Sequence, residues 1–416
     1  MKKILLLTLC LSFSYLQAQD MQRVRKNLKE LCSPALKGRG YVGKGDSLAA
    51  RWINQAFEEI GLKKFGQNYE QYFSFPINTF PYPIQVKSKG NKWQIGRDFI
   101  LDSGSPTSSA KADILYLDTL IFDNQQKRER FFKQEFFSKA IVYDSKWEKK
   151  FSSLEPQQIQ KLFGESSLWI SLHNKLTAGV ATKQAQKPEI MFLKSSWNFK
   201  AKKIDFKIKS KFLEQYQSQN LIAYIEGSNQ KDSFVVFTAH YDHLGMMGEA
   251  CFCGANDNAS GVTMLLELAN HYVKNPPTYS VAFMAFAGEE AGLLGSQYYT
   301  EHPLFPLERI KVLINLDLVG TGDEGITIVN GAVFEKDFEL FTKINTEMKL
   351  LPKVAKRGKA ANSDHYFFTE KGVKSFFIYT MGGIKAYHDI DDKPETLPLT
   401  KFSELFKLII NYVANI

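Results

Sequence analysis

The chain has 416 residues, 44% of them hydrophobic and 23% charged, with a formal net charge of +9. That length exceeds one ordinary core, so two domains, or one large domain with an insertion, are expected. A charge of this size favours solubility, and it is not gathered into a nucleic-acid patch. In the densest stretch, Lys200 to Lys211, Ile204, Phe206 and Ile208 alternate with Asp205, Lys207 and Lys209, which reads as a strand with one wet face.

At the amino end Met1-Lys2-Lys3 precedes an apolar run from Ile4 to Tyr15 and then Leu16-Gln17-Ala18-Gln19. A basic start, a short apolar stretch and a small residue make a signal peptide over residues 1–18, cut near Ala18. The run is too short to span a bilayer, and no later one approaches the ~20 apolar residues a spanning helix needs, so no stable membrane insertion is expected. Leu9 precedes Cys10 where a lipoprotein has a small residue. The expected location is therefore secreted or periplasmic.

Residues 46–60 place Ala49, Trp52, Ile53, Ala56, Phe57 and Ile60 at helical spacing, and Gly61 ends the pattern. From about Tyr82 the texture changes. Residues 84–198 are rich in Lys, Gln, Ser and Phe, with strand-like pieces at 113–117 and 140–143 and a basic helical stretch near 125–137. No chemical motif falls there, which marks an inserted, smaller, β-rich accessory domain. The remaining segments, 19–83 and 199–416, form the main domain. From Ile204 on, strands and helices alternate, which argues an α/β fold with a mixed central sheet flanked by helices. Short β-rich runs at 221–225 and 234–239 flank a turn. Residues 262–272 form a helix capped by Ser260 or Asn258, and residues 401–413 close the chain as another. Cys32, Cys251 and Cys253 remain after processing, an odd number that leaves at least one thiol free or linked between chains. Cys251-Phe252-Cys253 does not have the spacing of a zinc clip; it reads as a loop thiol pair with one member available to Cys32.

The chemistry lies at the ends of the apolar runs. Residues 234–239 lead to His240-Tyr241-Asp242; Gly254 to Asn258 opens a helix-like stretch around Asp257; 281–287 lead through Gly288 to Glu289-Glu290; 310–316 lead to Asp317; and 375–379 precede a loop with Tyr387-His388. In an open α/β sheet the carboxyl ends of the strands form the ligand crevice. Two imidazoles and several carboxylates gathered there suit zinc. Two ions ~3.5–4 Å apart can hold a hydroxide between them and polarise a scissile carbonyl. Asp257 would bridge, His240 and Asp317 would complete one site, and Glu290 and His388 the other. Glu289 would be the general base. Adjacent glutamates on an extended strand face opposite ways, so a turn at Gly288 is needed to aim both at the crevice. Asp242 would hold the second imidazole nitrogen of His240.

The segments 239–245, 254–261, 288–296, 314–320, Ser363-Asp364-His365 and Tyr387-His388 resemble, in order and spacing, those of the secreted di-zinc aminopeptidase family (metallopeptidase family 28). The resemblance covers about 204–416 well and reaches 30–82 more loosely, through Leu36-Lys37-Gly38-Arg39-Gly40. Its implied fold is the zinc-peptidase/phosphorylase-hydrolase type. It implies the same ligand roles, Zn2+ at two per chain, Glu289 as base, and Tyr387 as a donor to the oxyanion. The insertion is similar in position to that family's protease-associated domain. Asp389, where the family has Thr or Ser, implies extra negative charge favouring cationic substrate ends, and the loop 246–253 implies a hydrophobic subsite or lid. The expected function is an exported aminopeptidase acting on peptide substrates. The alternatives are a carboxypeptidase or glutaminyl cyclase of the same fold, or an inactive ectodomain.

Overall fold

The computed structural model describes residues 19–416; the signal-peptide expectation concerns residues outside them. Among the described residues no helix is long and apolar enough to cross a membrane.

The main sheet runs in the order Lys63–Lys64, Lys211–Ile225, Tyr279–Phe286, Gln230–His240, Ile310–Leu316, Ser375–Met381, Gly325–Val329 and Val354–Lys356, with Glu70–Thr79 paired to Lys211–Ile225. The four strands from Tyr279–Phe286 to Ser375–Met381 are mutually parallel, while Lys211–Ile225 and Gly325–Val329 join antiparallel. Parallel strands are covered on both faces, which is why Tyr279–Phe286 is apolar and buried along nearly its whole length. Val235, Phe237, Ala239, Phe283 and Ile314 face one core with the helices Gly45–Ile60, Ser260–Lys274 and Phe402–Ala414. Val236, Met284, Phe286 and Leu313 face the other, against Tyr299 and Phe368.

The helix expected at 46–60 spans Gly45–Ile60 with Ala49, Ile53 and Phe57 buried. Its buried Asp46 accepts from the Tyr216 hydroxyl and from Ser218 Oγ, tying the helix start to the neighbouring strand. Burial raises that carboxyl to about 6. The helix expected at 262–272 spans Ser260–Lys274; the Asn258 side chain, not Ser260, holds its first turn, accepting from Gly261 N at 2.9 Å.

A second sheet follows the order Asn91–Lys92, Gln85–Ser88, Lys203–Ile208, Ser108–Tyr116, Lys139–Asp144, Leu168–His173, Glu189–Leu193 and Phe99–Leu101. Side chains alternate across it: Ala140, Val142 and Ile170 face one core, Ile141, Tyr143 and Trp169 another. This β-rich layer of eight strands also carries helices of its own, Gln125–Phe132 and Pro156–Glu165. Lys203–Ile208 pairs inside this sheet and not with the main one, so the layer runs past a boundary drawn at 199. Alternation identifies a strand but does not say which sheet takes it. The loop 246–253 is a hairpin, Gly245–Met247 with Ala250–Phe252. Its Met247 and Phe252 are buried in the core of the second sheet, so it docks the two layers and is no free-standing lid.

Candidate metal centre

His240 ends its strand and Asp317 follows directly on Ile310–Leu316, two adjacent parallel strands of the main sheet. Glu289 and Glu290 follow Tyr279–Phe286, the strand on the other side of Gln230–His240. Gly288 adopts φ 69°, a left-handed turn that brings both glutamates into the crevice. Asp257 lies between Gly254 and the helix at Ser260. Gly254 has φ 56°, and a Cβ there would stand 1.9 Å from Asp257 O and 2.4 Å from the His243 ring, so only glycine lets this backbone in.

The carboxylate of Asp257 is divided between two imidazoles. Its Oδ1 lies 3.3 Å from His240 Nε2 and its Oδ2 3.1 Å from His388 Nε2. On the first side Asp317 Oδ1 lies 3.3 Å from His240 Nε2; on the second, Glu290 Oε2 lies 3.3 Å from His388 Nε2. Glu289 stands further off, 3.9 Å from His240 Nε2. Ligand atoms of His240, Glu289 and Asp317, and of His240, Asp257 and Glu290, converge closely enough for a cation. Asp317 Oδ2 accepts from Ser363 Oγ at 2.9 Å, whereas its Oδ1, the oxygen facing His240, is buried with no donor. A buried carboxylate oxygen that faces an imidazole and lacks a donor is what a divalent ion would satisfy.

The charges are consistent with that. Burial opposes charge on His240, but the Glu289 and Asp317 carboxylates raise it well above its ordinary value. Burial opposes charge on His388 too, and Asp257 and Glu290 lift it to about 9. Burial holds Glu289 well above the usual carboxylate range, with His240 opposing and Asp317 and Glu290 adding to it. Asp257 is held well below, burial being outweighed by His240 and His388. A bound cation would take over the role that the imidazolium protons play in these balances.

Two expected roles change. Asp242 Oδ1 is 3.8 Å from His240 Nδ1, beyond hydrogen-bond reach; that nitrogen meets the Asp242 backbone carbonyl at 3.1 Å instead. The strand ends at His240, so Asp242 no longer shares its face. The Asp242 carboxylate accepts from Tyr41 OH at 2.7 Å and faces Glu289 N at 3.3 Å and Glu290 N at 3.4 Å, so it braces the Glu-Glu turn. Asp389 pairs with Lys175 Nζ at 3.1 Å, so its charge is neutralised from the second layer. Tyr387 is 44% exposed and lies flat on the His388 ring, centroids 4.0 Å apart.

Sequence reasoning gave no role to several residues that hold the site. His243 is fully buried, with Nδ1 2.6 Å from Glu290 Oε1. The Asp392 carboxylate accepts from the backbone N–H of Asn256 at 2.8 Å and of Asp257 at 3.0 Å. Ala178, in the inserted layer, accepts from His388 Nδ1 at 3.0 Å, and its N–H donates to His388 O at 2.9 Å. That bond fixes the tautomer that leaves Nε2 facing Asp257. Arg39, with no exposed surface, donates to the carbonyls of Tyr241, Leu31, Cys253, Gly254 and Asp257. The family-like segments contained His243, Arg39 and Ser363, but a backbone carbonyl such as that of Ala178 leaves no mark in a sequence.

Two expected results follow. Arg39→Met strands several buried carbonyls and lowers stability by about 4 kcal/mol or more, read as a fall in the urea midpoint. Ser363→Ala removes the hydroxyl donor to Asp317 and weakens zinc binding about 10–100-fold in a competition titration, with little change in the melting temperature of the metal-free protein.

The fold is an α/β layer with a candidate metal centre at the carboxyl ends of its parallel strands. Residues 220–413 match the model of Peptidase family M28. Aminopeptidase YwaD of Bacillus subtilis (strain 168) is 34% identical over 178 residues, covering 40% of this chain and 37% of that protein. A probable leucine aminopeptidase of Arthroderma otae is 30% identical over 224 residues, 51% of this chain and 59% of the relative. The chain thus aligns with less than two thirds of these relatives' lengths. The solved structure of BSAP, a zinc aminopeptidase from Bacillus subtilis, superposes with a TM-score of 0.69 at 20% identity, over 95% of each chain, a likeness of fold.

Proposed function

We propose that the chain is an exported zinc-dependent aminopeptidase that hydrolyses the N-terminal bond of peptides and uses two zinc ions per chain. The observation that carries this reading is the divided Asp257 carboxylate, one oxygen beside His240 and the other beside His388. His240, Asp257 and Asp317 would hold one ion, and Asp257, Glu290 and His388 the other. The mixed nitrogen and oxygen donor set suits zinc. When bound, such a pair supplies Lewis acidity to the scissile carbonyl and a lowered pKa to the attacking water.

The side chains do the rest. Glu289, further from His240 Nε2 than Asp257 and Asp317 are, takes the proton from the attacking water and passes it to the leaving amine. Its raised proton affinity on burial suits that shuttle. Asp242 keeps Glu289 aimed through the backbone of the turn. The Tyr387 hydroxyl, on a ring stacked against His388, donates to the oxyanion that develops on the substrate. Relatives named as aminopeptidases support the N-terminal direction, and the basic and apolar start of the chain supports export.

The test is a matched pair of peptides supplied to the zinc-loaded protein, one with a free α-amino group and one N-acetylated. The free peptide is expected to lose its first residue and the blocked one to stay intact, and a chelator abolishes the reaction. Release from the carboxyl end, cyclisation to a pyroglutamyl product, or no N-terminal release with zinc present would each overturn the reading.

A further inference from the structure

The sulfur atoms lie apart from the metal ligands and share one cavity. Cys32, Cys251 and Cys253 all line a space of about 810 Å³ whose charged lining is Lys29, Lys37 and Lys393 with the single acid Glu395. All are free and only partly buried. Cys32, at the end of the helix Met21–Leu31, points its Sγ at the Cys253 carbonyl oxygen, 3.4 Å away. Arg39 Nη1 lies 3.8 Å from Cys32 Sγ and 2.5 Å from Cys253 O, so a cation stands beside the pair. Cys253 Sγ donates to Asp392 O at 3.0 Å. The hydrogen bond from Cys32 holds the Cys253 thiol below its ordinary range against the opposing effect of burial, with Arg39 helping. The Cys251 thiol, by contrast, is pushed up by burial to about 11. Among the described residues no metal-ligand grouping includes a sulfur, so these thiols do not form a metal clip.

We propose that Cys32 and Cys253 are a redox-active modification site, in which Cys253 reacts with a small anionic disulfide and Cys32 resolves the product to an internal disulfide. The Cys253 thiolate attacks one sulfur of the small disulfide; that S–S bond breaks and the first small thiol leaves with the proton lost by Cys253. Cys32 then loses its proton and attacks the Cys253 sulfur; the Cys32–Cys253 bond forms and the second small thiol leaves with that proton. Two protein thiols are oxidised and one small disulfide is reduced to two thiols, so atoms and electrons balance. The lysine-rimmed cavity attracts a reagent carrying carboxylates. The sequence leaves either Cys251 or Cys253 available to Cys32; the contact of Cys32 Sγ with the Cys253 carbonyl, across 221 residues, selects Cys253. The bridge would fasten the end of the first helix to the backbone that leads through Gly254 into Asp257.

The test uses the full chain, equilibrated with oxidised glutathione, then alkylated and mapped by mass spectrometry. Two thiols are expected to be protected, a Cys32–Cys253 cross-linked peptide to appear, and Cys251 to be alkylated. The Cys251→Ser variant is expected to form the same bridge. The Cys32→Ser variant is expected to trap one glutathionyl group on Cys253. A bridge that includes Cys251, stable glutathionylation of the unmutated chain without a bridge, or no reaction at all would overturn the proposal. None of these readouts depends on hydrolysis, so they stand or fall separately from the peptidase reading.

Discussion

Glu289→Gln is expected to retain both zinc ions and lose about 10²–10⁴-fold in kcat, the range a positioned general base supplies. Glutamine keeps the shape and the buried position of Glu289 but cannot accept a proton. KM is expected to change little, because the residue stands further from His240 than the would-be ligands do, at 3.9 Å against 3.3 Å. Zinc content by elemental analysis and steady-state kinetics on one preparation separate the possibilities. If the variant lost an ion along with its activity, Glu289 would be a ligand, as its closeness to the His240 and Asp317 donor atoms also allows.

Asp257→Asn should fail differently. The two oxygens of Asp257 serve different imidazoles, and an amide offers only one anion-like oxygen to that pair. Zinc is expected to drop to one ion per chain or fewer, and kcat/KM by on the order of 10³-fold or more, equivalent to the several kcal/mol that metal polarisation provides. The same variant is expected to melt below the metal-free parent protein, because the Asp257 carboxylate, held below its ordinary range against burial by His240 and His388, stabilises the folded metal-free chain. The unmutated protein is expected to gain melting temperature on adding zinc, since only the folded chain gathers these groups. A variant that keeps two ions and full activity would remove Asp257 from the centre.

The parts of this centre legible in the sequence were those that the parallel sheet places by itself. Buried parallel strands read as unbroken apolar runs, and their carboxyl ends face one crevice, so His240, Asp317 and the Glu289-Glu290 pair could be placed from the runs before them. Gly288 announced the turn. What the sequence hid depends on contacts between distant segments. Asp242 lies two residues from His240, yet its carboxylate turns toward Tyr41 and the Glu-Glu backbone because the strand has already ended. The charge of Asp389 is set by Lys175, more than two hundred positions away, and the tautomer of His388 by a carbonyl at Ala178. The strand Lys203–Ile208 has the alternation of any half-exposed strand, and only pairing with Gln85–Ser88 and Ser108–Tyr116 assigns it to the second layer. That layer therefore contributes more than bulk. Through Ala178 it touches a would-be zinc ligand directly.

Anomalous diffraction at the zinc edge from crystals of the zinc-loaded protein tests the central claim most directly. Two peaks about 3.5–4 Å apart are expected, one on each side of the Asp257 carboxylate, with His240 and Asp317 on the first and Glu290 and His388 on the second. A single peak, or zinc bound away from Asp257, would contradict the account.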